Sequence, residues 1–264
     1  MKTKLAFLMI SIVLIIGGCK KDSTDLPDAL TMSKLNLDAS FSILDQHMTE
    51  ATQYMISVDM DTSLVRSQLL QLVGEFPYIT DFAEVTPAGI MRIIEPAEFY
   101  AFQGTDISNQ DHVIKAFETK QPVLSRQFLT VEGFYAAVVI HPIVNNSAIE
   151  GGITAMFYPK DILGSIMAPL SQGQPFELWA MDMQGIILFD LDSAEIGLNL
   201  FTAPLYQDFP ELITAGSKIL SEDSGTTKYS FFKAGTSETV TKLTYWDTFE
   251  LYGTQWKLVW VKPE

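Results

Sequence analysis

The chain has 264 residues, 47% of them hydrophobic, and carries 32 acidic against 17 basic residues for a net charge of −15. A surface this acidic argues against nucleic acid and anionic lipid surfaces as ligands, because both carry the same sign. The length and the hydrophobic share suit one large domain or two small ones with a sizeable core.

Lys2 and Lys4 open the chain, an apolar run follows from Leu5 to Ile16, and Gly17, Gly18 and Cys19 come next. A basic start, a short apolar run and small residues before a cut make a secretory signal. The run is too short for a spanning helix, which needs about 20 apolar residues. Ile16-Gly17-Gly18-Cys19 resembles the bacterial-type lipobox, so residues 1–18 read as a lipoprotein signal peptide and Cys19 as the lipidated residue. Cys19 is the only cysteine, so the core alone must hold the fold without disulfides. Loss of the signal removes Lys2 and Lys4 and no acid, leaving 15 basic against 32 acidic residues and a charge of −17. The expected location is extracytoplasmic, lipid-anchored through Cys19 to the outer face of a membrane, at the cell surface or on the periplasmic side. Residues 19–29, polar and containing Pro27, read as the lipidated tether.

Residues 30–74 read as a helical stalk. Leu37, Phe41, Leu44, Met48, Ala51 and Met55 recur at steps of three and four, one face of a helix from Leu30 to Ser57. That stripe either packs on the protein's own sheets or forms a homodimer seam. Asp59 to Thr62 break the pattern, and a second helix runs from Thr62 to Val73, with Gly74 as its stop. Strand-like runs follow: Tyr78–Val85, Gly89–Glu95, Pro122–Thr130, Tyr135–Val144 and Gly152–Tyr158. A helix at Ser108–Lys120, with Ser108 as its cap, interrupts them, and another covers Pro159–Leu170. Strands at Phe176–Met181 and Gly185–Asp190 flank a turn beginning at Asp182. A helical part covers Pro204–Glu222, and strands at Thr226–Lys233, Thr239–Thr248 and Gln255–Lys262 end the chain. Each half is thus a mostly antiparallel sheet with helices on it, an α+β pattern.

This order resembles a known family, the double Cache or PDC-type extracytoplasmic sensor domain. The resemblance rests on Pro96, on Gly104-Thr105-Asp106-Ile107-Ser108, on Lys120 to Ser125, on His141-Pro142-Ile143 and on Gly151-Gly152-Ile153. In the second half it rests on Trp179 to Asp190, Glu195-Ile196-Gly197, Phe201-Thr202, Ser224 to Tyr229 and Trp246 to Trp256. It implies a long N-terminal helix followed by two tandem PAS-like (Cache) modules, a membrane-distal one at 75–165 and a membrane-proximal one at 166–264. It also implies a small ligand, often an amino acid, amine or carboxylate, in the distal module. Members continue through a transmembrane helix into a kinase or chemoreceptor, whereas this sequence ends at Glu264. That implies action through a separate transmembrane signalling partner.

In the amino-acid-binding subgroup the resemblance places an Arg where this chain has Gln110 and aromatic residues near His112 and Val113. It places a late Asp near Met156 or Phe157. Neither the cation for a carboxylate nor the anion for an ammonium is at these positions, so the resemblance does not carry over α-amino acid binding. The candidate ligand-binding residues are Tyr100, Phe102, Asp106, Ser108, Gln110, Arg126, Phe128, Tyr135 and His141. Arg126, read as mid-strand, suits an oxyanion. The expected function is capture of a small polar ligand, carboxylate-like or another metabolite, by a tethered sensor-type lipoprotein. The alternative is a ligand-free structural or interaction lipoprotein. Asp190, Asp192 and Glu195 lack the spaced oxygens and turn glycine of a calcium loop, so no metal is expected. Nucleophile-elbow, zinc-protease, phosphate-loop and C-x-x-C motifs are missing from the sequence, so neither an enzyme nor a cofactor is expected.

Overall fold

The computed structural model describes residues 25–233 and 235–264. The expected signal peptide at 1–18, the expected lipidation at Cys19 and the first part of the expected tether lie outside these residues. Among the described residues no helix is long and apolar enough to cross a membrane.

The first helix, α1, runs Asp28–Ser57. Leu37, Phe41, Leu44, Met48, Ala51 and Met55 form its buried stripe, each at most 1% exposed. That face packs on strands of both sheets described below. The stripe is used up within the chain, so these residues form no dimer seam. Asp59 and Met60 then adopt left-handed backbone with φ of 52° and 55°, which reverses the chain. Asp61 accepts hydrogen bonds from the Ser63 and Leu64 amides and so caps α2, Thr62–Glu75. Gly74, expected as the stop, lies inside the last turn of α2.

The first sheet holds β1 (Ile79–Val85), β2 (Met91–Glu95), β3 (Val123–Leu124), β4 (Phe128–Leu129), β5 (Tyr135–Asn145) and β6 (Ala148–Phe157). Its order is β2-β1-β6-β5-β3, with β4 also on β5. The second sheet holds β7 (Glu177–Asp182), β8 (Ile187–Phe189), β9 (Gly225–Phe232), β10 (Thr239–Leu251) and β11 (Thr254–Pro263). Its order is β8-β7-β11-β10-β9. Every pairing is antiparallel. In both sheets the last strand inserts beside the first, so the two halves share one connectivity. The expected α+β architecture, a long helix followed by two antiparallel sheets, is the one observed.

Three elements differ from the expectation. The strand over Pro122–Thr130 is broken into β3 and β4. The Ser125 amide donates to Val138 O, but the Val138 amide donates to the Ser125 hydroxyl at 2.9 Å. The side chain stands in for the Ser125 carbonyl, and the backbone is free to leave the ladder. The helix expected from Ser108 starts later, as α3 (Asp111–Thr119). The Ser108 amide donates instead to the Asp106 carboxylate at 2.9 Å. The helical part at Pro204–Glu222 splits into a 3-10 turn at Pro204–Tyr206 and α5, Pro210–Ser221. Pro210 suits a first helical position, where its missing N–H leaves nothing unpaired.

The remaining helix, α4 (Pro159–Ser171), packs on α1, β7 and β8, so a division at 165/166 falls inside one helix. The largest core cluster lies between α1, α2, α4 and the inner faces of both sheets. The outer face of the first sheet is covered by α3 and a 3-10 turn at Ala97–Phe102, and that of the second by α5.

Candidate ligand-binding site

Strand alternation sets what the outer face of the first sheet presents. On β5, Ala137, Val139 and Ile143 face the α1 core while Val138 faces away. On β6, Ile153, Ala155 and Phe157 face inward, and Thr154 and Met156 face out. A bulge between Ile79 and Asp81 shifts β1, so that Asp81 joins the outer face directly across from Met156. These outer residues, with Gln110, His112 of α3, Phe128, Thr130 and Glu132, enclose a pocket of about 20 Å³. That is room for about one water.

The pocket is short of hydrogen-bond partners. Asp81 is 3% exposed and its Oδ2 has none; Thr130 is 6% exposed and its hydroxyl has none either. A buried polar atom left this way costs about 1–3 kcal/mol. Burial first, and then the charge of Glu132, holds the Asp81 carboxyl well above its ordinary range. Burial pushes His112 down to about 4, against a weaker pull from Asp111. Its ring lies 5.3 Å from that of Phe128. His112 is therefore uncharged at neutral pH and does not repel a cation. The lining holds Asp81 and Glu132 and no Lys or Arg. A carboxylate ligand would meet Glu132 here, whereas an ammonium would find counter-ions in Glu132 and an ionised Asp81.

His112 also yields a pH prediction. Its folded-state value lies below the 6.5 of the unfolded chain, so its contribution is full above 6.5 and is lost as pH falls through about 4. Between those limits the wild type should lose roughly 3 kcal/mol relative to His112→Phe. Paired urea melts at pH 7 and pH 4 check this; a constant difference would contradict it.

Of the residues expected at the site, Gln110 and Phe128 line the pocket. Tyr100 and Phe102 sit on the 3-10 turn. The Tyr100 hydroxyl donates to Glu95 at 2.6 Å, the Arg66 guanidinium lies over its ring, and Arg66 also pairs with Glu95. Phe102 packs on the apolar cluster under α3. Asp106 and Ser108 are exposed and bond to each other. Arg126 is not mid-strand: it lies in the break after Ser125, largely exposed, 3.8 Å from the still more exposed Asp111. Tyr135 is 61% exposed. His141 has the parity of Val139, so it faces α1 and not the pocket. There it meets Asp45 at 3.2 Å and Tyr252, from the β10–β11 turn, at 3.3 Å. Asp81 and Thr130 were missed. The available signal was Asp81 next to Phe82 and Ala83 in the strand Ile79–Val85, which is buried at all but one position. The carboxylate that the resemblance placed near Met156 stands one strand over, on Met156's cross-strand partner.

Residues 39–159 match the family model described as HK/GC/Chemotaxis protein-like, sensor domain. The chain's fold is that of Cache-like sensor domains. Among solved structures it is similar to the extracellular ligand binding receptor from Desulfohalobium retbaense, with a TM-score of 0.74 and 25% identity. That match covers 89% of this sensor domain's chain and 39% of the receptor's, so the chain spans well under half of that protein. It shares its fold with the ligand-binding domain of the Pseudomonas aeruginosa amino acid chemoreceptor PctB in complex with L-Gln (TM-score 0.62, 13% identity, 89% and 88% covered). The periplasmic sensory domain of the Campylobacter jejuni chemoreceptor Tlp1 shares it too (TM-score 0.60, 12% identity, 89% and 91% covered). No curated protein matches the sequence of the sensor domain.

Proposed function

We propose that this sensor domain stands outside the cell, held by lipid on Cys19, and takes a small protonated amine in the pocket of its first sheet. It passes the bound state to a separate membrane partner. The observation that carries the ligand class is the buried, unpartnered Asp81 Oδ2 beside the unpartnered Thr130 hydroxyl. An ammonium donates several hydrogen bonds and carries the charge that a desolvated carboxylate lacks. The pocket is small as it stands, and the hairpin of β4 and β5 is its movable wall. Leu129, Val131 and Tyr135 on that hairpin are 57, 40 and 61% exposed, so little packing holds it shut.

Binding must ionise Asp81, whose carboxyl is held high, so amine affinity should rise with pH. A thermal-shift series with primary amines and diamines, each against the alcohol of the same shape, tests this at pH 5 and pH 8. An amine at 100 times its dissociation constant adds about 2.7 kcal/mol of stability, and the shift should be larger at pH 8. Equal shifts with the alcohols would remove the ammonium as the group recognised, and no shift with any amine would favour the ligand-free structural reading.

The anchor has its own test. The basic start, the apolar run and the Ile16–Cys19 motif support it, and the receptors this chain resembles are described as extracellular or periplasmic. Cys19→Ala should move the protein from the membrane to the soluble exported fraction. Unchanged membrane attachment would count against lipidation.

A further inference from the structure

The second sheet carries a larger cavity on the face turned away from α1. Leu178 and Ala180 of β7 enter the α1 core, so Glu177 and Trp179 face the other way. Trp179, Tyr229 and Phe231 wall a space of about 730 Å³ under α5 and the segment that follows β8. Ligand cavities run from about 300 to 1,000 Å³.

The charge inside is unbalanced. Lys242, 4% exposed, sits 3.0 Å from Glu177, so that cation is already matched. Asp190 and Glu195 also line the cavity. Glu195 accepts from the Tyr206 hydroxyl at 2.8 Å, and Asp190 accepts the Asp192 amide at 2.8 Å. Neither has a cation of its own among these contacts; Lys233, the other basic residue of the lining, stands 3.8 Å from Glu238. Burial first, and then the charge of Glu195, pushes Asp190 up to about 7, the behaviour of a carboxyl held without a counter-ion. Among the described residues no group of three or more acids or histidines is placed to hold a metal ion. The aromatic walls Trp179, Tyr229 and Phe231 suit a cation with an apolar body.

The connectivity repeats between the two halves. β7 occupies in the second sheet the place of β1 in the first, beside the last strand and next to the hairpin edge. Glu177 lies on that strand's outer face, as Asp81 does on β1. The same fold thus aims a carboxylate from the same strand at a space in each half.

We propose that this cavity is a second ligand site, which takes an organic cation with its apolar body against Trp179, Tyr229 and Phe231 and its charge between Asp190 and Glu195. Aromatic faces attract cations as well as covering apolar surface. A desolvated carboxylate pair gains most from a ligand that brings its own charge.

Calorimetric titration with benzylamine, and with benzyl alcohol as the uncharged match, tests it. The chain used carries Asp81→Asn, so that the pocket of the first sheet does not contribute. Benzylamine should bind one site, and benzyl alcohol roughly tenfold more weakly or worse. Adding Asp190→Asn with Glu195→Gln should weaken benzylamine by a similar factor. Near-ultraviolet circular dichroism shows whether that variant folds, and the comparison of amine with alcohol stands without it. Equal binding of the two probes, no benzylamine binding in the Asp81→Asn chain, or no effect of the pair of substitutions would overturn the proposal. The first-sheet reading is judged separately, by the difference between wild type and Asp81→Asn.

Discussion

Phe41→Ala is expected to lower the stability of the sensor domain by about 3–5 kcal/mol, the usual loss for a fully buried aromatic ring. Phe41 is 1% exposed. Its ring lies 5.6 Å from Phe157 on β6, 5.4 Å from Phe249 on β10 and 6.0 Å from Trp256 on β11. One side chain on α1 therefore touches both sheets. Removing it opens a void among groups fixed on three elements, which leaves little room for collapse. Domains of this kind are stable by about 5–15 kcal/mol, so the loss is a large share. The urea midpoint should fall with little change in slope. A loss under about 1 kcal/mol would show that α1 does not tie the two sheets together. Leu44→Glu should act the same way, because Leu44 is 1% exposed in this core and an unpaired charge cannot remain there.

Asp81→Asn is expected to move stability and binding in opposite directions. The folded-state carboxyl is held well above its ordinary 3.8, by burial and then by Glu132. The sign follows from linkage. A raised acid contributes stability that is present below its unfolded value and lost as pH rises through the folded one. The neutral amide suffers no such loss. Wild type and variant should therefore melt alike near pH 3, and the variant should gain relative to wild type as pH rises toward 8. Amine binding should fall roughly 10- to 100-fold, since a hydrogen bond to a charged group is worth about 1.5–3 kcal/mol. A residue kept only for packing would not raise stability when changed and also lose a ligand. If amines bind the variant as well as the wild type, Asp81 is not the counter-ion.

The elements were largely legible because their patterns are local. The stripe from Leu37 to Met55 follows helical spacing, and its burial confirms one inward face. Asp59 to Thr62 were read as a break, and the positive φ angles of Asp59 and Met60 lie there. The site was legible in part. Gln110 and Phe128 line the pocket because α3 and β4 fall close to where they were expected. Arg126 and His141 do not. Arg126 lies past a break made by one side-chain hydrogen bond from Ser125, and no periodicity announces such a bond. His141 sits on the right strand but on the other face.

The sequence by itself determined the acidic charge, the order of helices and strands, and so the resemblance to a two-sheet sensor. These depend on neighbours within a few positions along the chain. Only the tertiary structure decided which acids are isolated from cations and which faces they look onto. A strand shifted by one residue turns every side chain to the opposite face, and the bulge before Asp81 is such a shift. Burial then gives a carboxylate its meaning. Exposed, Asp106 is one more solvated charge, whereas Asp81, 3% exposed and without a partner, defines what could bind.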